Sequence, residues 1–241
     1  HVDENKLKGK RVHKNYRSAF ESKNKVHDAL RKRVEKGRTL KLGEFHGKAS
    51  ELPGSQGCTV PQGAVPKRLE PDAARPFSDH TKTGFNSACD VDWLKHSLNT
   101  YAEIAEELKP GYHMRVEDID GAYTLLPLAP SVWKYMYVWW FDVDRPLDEQ
   151  KEPNTLYVHV FADFGTAAMP GVWDKFYRCL KAMAIADGVL KHPMPHYVDD
   201  NSLIGPTAAE VDAAAEEVGE YFAMCGVKFK SLQSRLAALR Q

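Results

Sequence analysis

Residues 194–204 read Met194-Pro195-His196-Tyr197-Val198-Asp199-Asp200-Asn201-Ser202-Leu203-Ile204, two adjacent carboxylates set between short apolar runs. This pattern predicts a tight β-hairpin with Asp199, Asp200 and Asn201 at its tip, because Asp and Asn tolerate turn geometry. A third carboxylate, Asp118, falls at the end of an upstream strand in Val116-Glu117-Asp118-Ile119-Asp120-Gly121-Ala122-Tyr123. Two carboxylates about 4 Å apart repel by about 4 kcal/mol at an effective dielectric of about 20, so a fold that gathers three usually places cations between them. Magnesium is the usual choice for such an oxygen set, and two-metal nucleotidyl transfer needs this set. Taken alone, an Asp-Asp pair at a turn is more often a solvated turn, and four-residue matches arise by chance.

Upstream of the hairpin, a basic helix is expected over residues 15–37 with Tyr16, Phe20, Leu30 and Val34 as its apolar stripe. Residues 38–66 are dense in glycine and proline and read as a long loop or linker. A helix from about Val91 to Leu108 is predicted from Trp93, Leu94, Leu98, Tyr101, Ile104 and Leu108, stopping at Pro110-Gly111. From Arg115 the period changes to two: Trp133, Tyr135, Tyr137, Trp139 and Phe141 put aromatic rings on one face of a strand, for core packing more than base stacking. Leu156–Phe161 reads as the returning strand, and a helix follows Pro170-Gly171 over residues 172–186. Thr207 and Glu210 form a capping-box pattern for a last helix that Gly226 terminates. The order implies an α+β architecture, an antiparallel sheet with helices on one face.

Composition narrows the class. With 43% hydrophobic and 10% aromatic residues over 241 positions, the chain has enough apolar material for one sizeable core or two small ones and is not disordered. Lys+Arg and Asp+Glu are equal at 33 each, yet residues 1–50 hold 15 basic against 6 acidic side chains, leaving 18 against 27 in the rest. The basic end suits phosphate backbones, or forms a solvated face. Cys58, Cys89, Cys179 and Cys225 show no Cys-x-x-Cys spacing, which fits reduced thiols and an intracellular setting. No apolar span long enough for a membrane helix and no signal-like segment is present, so no membrane partner is expected. The chain begins at His1, which suggests a piece of a longer protein.

Across residues 62–232 the chain resembles the reverse transcriptase family. Asp118-Ile119-Asp120-Gly121-Ala122-Tyr123 followed by Pro127-Leu128 is similar to the family's first palm motif. Phe164-Gly165-Thr166-Ala167-Ala168-Met169-Pro170 is similar to its second, and Tyr197-Val198-Asp199-Asp200 to its third. Ahead of these, Val65-Pro66-Lys67 and Arg75-Pro76-Phe77-Ser78-Asp79 with Asn86 resemble the fingers; behind them, Gly226-Val227-Lys228-Phe229-Lys230 resembles the stretch after the palm helix. Five pieces in the family's order are a far more specific signal than any one of them.

The resemblance implies a right-hand polymerase palm with partial fingers. Residues 1–61 are then a basic extension and linker, 62–114 fingers-like, and 115–241 the palm, with no room for a thumb or a ribonuclease H domain before Gln241. It further implies an RNA-directed DNA polymerase that uses an RNA or DNA template, a DNA primer and deoxynucleoside triphosphates. Asp118, Asp199 and Asp200 would be the catalytic carboxylates holding two Mg2+ ions, or Mn2+ in substitution, with the Ile119 carbonyl as a further ligand. Lys67 and Arg75 would reach the triphosphate, Tyr123 would exclude a ribose 2′-hydroxyl, and Phe164 and Gly165 would lie against the nascent base pair. Lys230 would donate a proton to pyrophosphate, with Lys228 as its competitor. Glu117 and Asp120 add negative charge beside Asp118 that either recruits a further cation or faces solvent. The competing reading is a catalytically silent descendant that binds nucleic acid or partner proteins.

Overall fold

A computed structural model describes residues 2–7, 9–67, 70–90, 92, 96 and 98–230. Among them are helices α1 (Arg17–Glu21), α2 (Lys23–Glu35), α3 (Phe85–Ala88), α4 (Tyr101–Glu107), α5 (Met169–Ala186) and α6 (Ala208–Met224). The strands are β1 (Thr39–Glu44), β2 (Gln62–Lys67), β3 (Glu70–Ser78), β4 (His113–Asp118), β5 (Tyr137–Trp140), β6 (Thr155–His159), β7 (His196–Tyr197) and β8 (Asp200–Gly205). The ladders between these strands are antiparallel, as expected of an α+β chain. The chain forms two compact units, His1–Trp93 with Leu126–Met169, and Leu94–Leu125 with Pro170–Gln241.

The first unit is built on the sheet β1-β6-β5 and the β2-β3 hairpin. Every residue of β6 is buried, because both faces of this sheet are covered. Val138, Trp140 and Tyr157 share one core with Ala19, Val26 and Leu30 of α1 and α2, while Tyr137, Leu156 and Val158 share another with Phe45, Leu52, Cys58 and Phe85. Within β5, Tyr137 and Trp139 keep to one face as the alternation predicts, and Val138 and Trp140 take the other; Phe141, just past the strand, joins the second core. Trp133 and Tyr135 lie in a 3-10 helix, Pro130–Tyr135, opened by Pro130, and the strand begins only at Tyr137.

The same cores correct the reading of residues 1–61 as an extension and linker. Ala19, Val26, Leu30, Phe45, Leu52, Cys58 and Val60 are all buried, and β1 pairs with β6 over Thr39↔His159 to Glu44↔Thr155. The glycines and prolines of this stretch shape turns within a folded unit. Gly47 shows why: a β-carbon there would collide with the ring of Trp139, and its φ of 76° is left-handed.

The second unit carries the sheet β4-β8-β7. Helix α6 packs on β4 and β8, and Trp173, Tyr177, Leu180 and Ala184 of α5 recur at helical spacing as its buried stripe. Tyr177 stacks on Trp173 at 5.3 Å and meets Phe222 of α6 edge-on at 5.5 Å, so α5 and α6 join through one aromatic cluster. Thr207 caps α6 by accepting from Glu210 N, as its sequence pattern predicts, and Gly226 follows the helix at φ 82°. Helix α4 is shorter than the predicted Val91–Leu108. Thr100 closes a full capping box with Glu103 and starts the helix at Tyr101, while Trp93 and Leu94 lie outside the described residues.

Because Trp140 is fully buried, Trp140→Ala is expected to lower stability by about 3–5 kcal/mol. Urea unfolding followed by circular dichroism measures this; a loss well under 1 kcal/mol would contradict the assigned core.

Candidate active site

Strand pairing sets the geometry. Across β4 and β8 the partners run from His113↔Gly205 to Asp118↔Asp200, so these two aspartates face each other at the end of the ladder. In β7-β8 the last pair is Tyr197↔Asp200, which leaves Val198 and Asp199 as a two-residue loop. The tip is therefore Val198-Asp199, and Asp200 and Asn201 belong to the strand, one step further in than the sequence pattern suggests. A two-residue loop matched to strand twist favours positive φ at its first position. Val198 takes it, at 58°, the one non-glycine residue with positive φ among those described. For a β-branched side chain this is a strained conformation, of order 1–3 kcal/mol.

Three hydrogen bonds hold that strain in place. Trp173 Nε1 donates to Val198 O at 2.8 Å, Ile119 N to Asp199 O at 2.9 Å, and Asn201 Nδ2 to Asp199 O at 3.0 Å. Asn201 is completely buried and accepts from Tyr177 Oη at 2.6 Å. Sequence reasoning treats Asn201 as a turn residue and assigns nothing to Trp173 or Tyr177. The available signal is parity: Asn201 shares its strand face with Leu203 and Gly205, both buried.

The segment after α6 returns to the end of β4. Ile119 bridges Phe229, Asp120 N donates to Lys228 O at 2.8 Å, and Lys230 N donates to Asp118 O at 2.7 Å. This pairing delivers Lys230 Nζ to Asp118 Oδ2 at 2.6 Å, while Lys228 is exposed. Glu117 points away from this cluster. It is buried against Arg115 Nε at 2.6 Å, and Arg115 also reaches Asp212 on α6 at 2.9 Å. Asp120 is exposed.

Electrostatics follow the placement. Burial raises the carboxyl of Asp199 above its ordinary range, with the charges of Asp118 and Asp200 adding to it and Lys230 opposing. Asp200 is raised by burial and then by Asp118, again against Lys230. Tyr123, half-buried in the 3-10 helix Ala122–Leu125, has its hydroxyl pKa raised by burial and then by Asp199 and Tyr197, which puts its ring in the same electrostatic neighbourhood.

The donor chemistry fits a hard divalent cation. Asp118 Oδ1 is buried without a hydrogen-bond partner, and the carboxyls of Asp199 and Asp200 beside it are raised by burial and by its charge. Among the described residues, however, no three His, Cys, Asp or Glu side chains are drawn together closely enough to enclose a metal ion. Asp118, Asp199 and Asp200 are neighbours through strand register, with the ammonium of Lys230 as the counter-ion of Asp118.

The remaining predicted site residues lie in the first unit. Lys67 and Arg75 sit on β2 and β3, both exposed, with Arg75 opposite Val65. Phe164 is 47% exposed. Gly165, at φ 109°, lies so close to the Ser78 carbonyl that no β-carbon fits. Asn86 clamps this turn, donating to Gly165 O and accepting from Ala167 N, each at 2.9 Å. Beneath it Asp163 accepts from His80 Nε2 at 2.7 Å and from Thr166 Oγ1 at 3.2 Å. Burial works to raise the Asp163 carboxyl, but the charge and hydrogen bond of His80 outweigh it and hold the group well below the usual carboxylate range. Burial pushes the neighbouring His159 down to about 3, so it is neutral at physiological pH, and Thr39 Oγ1 pairs with its Nδ1 at 2.7 Å.

Comparison with protein-family models finds no match, and comparison with curated proteins finds none either. No helix among the described residues is long and apolar enough to cross a membrane.

A carboxyl raised on folding contributes stability that is present below its unfolded pKa and lost as the pH rises through the folded value. Asp199→Asn is therefore expected to raise the melting temperature near neutral pH, with the gain shrinking as the pH falls into the carboxylate range. Thermal melts across pH check this; a variant less stable than its parent at neutral pH would mean that Asp199 is held by favourable contacts instead. Tyr177→Phe leaves the buried Asn201 Oδ1 without its donor and is expected to cost about 1–3 kcal/mol, measurable by denaturant unfolding.

Proposed function

We propose that the chain is the fingers and palm core of an RNA-directed DNA polymerase, adding deoxynucleotides to a primer 3′-hydroxyl on an RNA or DNA template. The observation that carries this is the register that sets Asp118 directly across from Asp200, beside Asp199, with Asp118 Oδ1 buried and unpartnered. In this reading Asp118, Asp199 and Asp200 hold the divalent cations. Magnesium, or manganese in its place, supplies charge neutralisation of the triphosphate and a lowered pKa for the primer hydroxyl. The protein itself mainly positions the reactants, since in-line phosphoryl transfer leaves it little covalent chemistry to do. The shared, fixed backbone of the hairpin and β4 holds the carboxylates in relative position. Tyr123 excludes a ribose 2′-hydroxyl by its ring, and Lys230 keeps a proton on Nζ at the carboxylates for the departing pyrophosphate.

One observation favours a second reading. The Lys230–Asp118 ion pair already neutralises one of the three acids, and the acids do not enclose a common point. A silent descendant that binds nucleic acid has no need of a divalent cation there.

Primer extension separates the two. With a DNA primer on an RNA template and magnesium or manganese, the full chain is expected to add deoxynucleotides. Asp118→Asn or Asp199→Asn is expected to reduce the rate by about 10³-fold or more, a loss of about 4 kcal/mol of transition-state stabilisation. Tyr123→Ala is expected to admit ribonucleotides. Template binding without any extension, and unaltered by the aspartate substitutions, would establish the silent reading.

A further inference from the structure

One of the basic side chains in the first 50 residues, Arg11, converges with His13 and with Lys82 from a later loop on one small concavity. Arg11, His13, Gln56, Cys58, Lys82 and Thr83 line a pocket of about 30 Å³ within the first unit. At roughly 10–15 Å³ per water, that volume holds about two water-sized groups. It admits the two non-bridging oxygens of a phosphate and excludes a base or a sugar.

The lining suits such a group. Arg11 and Lys82 are exposed and pair with no carboxylate among the described residues. The Lys82 ammonium lies 4.9 Å from the Tyr16 ring centre, so it is held in place without being neutralised. Asp79, the nearby acid, has its carboxylate engaged by Tyr16 Oη and by the amides of Thr81 and Lys82. Cys58 is a neutral thiol, its pKa pushed up to about 11 by burial, and adds no negative charge. The Gln56 side-chain amide has its Oε1 buried without a partner. Amide oxygen and nitrogen are interchangeable by a half-turn, which would present an NH2 donor to an anion. His13 reports the local field independently: burial lowers its pKa, and the charges of Arg11 and Lys82 lower it further against Asp79.

We propose that this pocket binds a phosphate group of a nucleic-acid backbone, with Arg11 and Lys82 as the charged contacts and the Gln56 amide as a neutral donor. The inference is independent of the polymerase reading, since it concerns sequence-independent phosphate contact and requires no chemistry at Asp118. The backbone is favoured over a free phosphate because the pocket is partly open to the surface, so the rest of a nucleotide chain can remain outside it.

The test uses the full chain and two probes. Inorganic phosphate is expected to shift the His13 imidazole resonances saturably and to raise that group's pKa, and Arg11→Gln with Lys82→Gln is expected to weaken this by about tenfold or more. For a single-stranded RNA oligonucleotide, the slope of log Kobs against log[salt] is expected to flatten by about 0.7 for each phosphate that the variant no longer neutralises. Both side chains are exposed, so the melting temperature should be unchanged; Lys82→Gln alone serves if the double variant folds poorly. His13 resonances that ignore phosphate would overturn the site. A phosphate-dependent shift with an unaltered RNA salt slope would overturn the assignment to a nucleic-acid backbone and leave a free-phosphate site.

Discussion

The pairing of β4 with β8 decides which side chains of the second unit meet. Side chains alternate along a strand, so a slip of one residue would send Asp118 and Asp200 to the helix-covered face and bring Glu117 and Asn201 out. The register is fixed from that buried face. Leu203 and Asn201 are fully buried, and Glu117 is buried against the guanidinium of Arg115. A slipped ladder would strand Asn201's amide and the Glu117–Arg115 pair in the wrong environment, costing several unsatisfied polar groups together. The acidic face is thus specified from the opposite, buried side of the sheet.

That face is maintained against local preference. Burial raises the carboxyls of Asp199 and Asp200, neighbouring like charges add to it, and Val198 occupies a backbone region that β-branched residues avoid. Such an arrangement persists only where its surroundings over-determine it. Here the Trp173 indole, the Ile119 amide and the Asn201 amide each hold a main-chain carbonyl of the two-residue loop. Their own positions come from α5, β4 and β8. Lys230, delivered by the strand-like segment after α6, offsets part of the charge without entering the loop.

How much of this is legible in the sequence differs by feature. The hairpin is visible because apolar runs flank a turn-forming break, and α6 because Thr207, Glu210 and Gly226 mark both its ends. The N-terminal cores are not visible. Ala19, Val26 and Leu30 are few and widely spaced among lysines and arginines, and their partners Trp140 and Tyr157 lie more than a hundred positions away. No local pattern announces that kind of contact. The aromatic run is legible in part: Tyr137 and Trp139 do share one face of β5, but nothing in the alternation marks the 3-10 helix that takes Trp133 and Tyr135 or the second core on the opposite face. Asn201 is hidden because Asn at a break is a turn signal first, and only the strand register shows that it is an anchor.

The basic character of residues 1–50 and their place in the core are compatible because long cationic side chains divide their roles by atom. On α2, Arg31 pairs outward with Asp28 at 2.9 Å, and on α1 Arg17 pairs with Glu21 at 2.8 Å, both on exposed faces where such pairs add little stability. Arg33, on the same helix as Arg31, turns inward and donates to the carbonyls of Phe161 and Ala162 and to Thr39 Oγ1. Removing its guanidinium from water is costly, and burial lowers its pKa while the charge of Asp163 opposes that. The segment leading into the Phe164-Gly165 turn is therefore tied, through main-chain carbonyls, to a helix that by composition looks like a solvated tail. Net charge describes where the unpaired cations go, and says little about which segments hold the fold together.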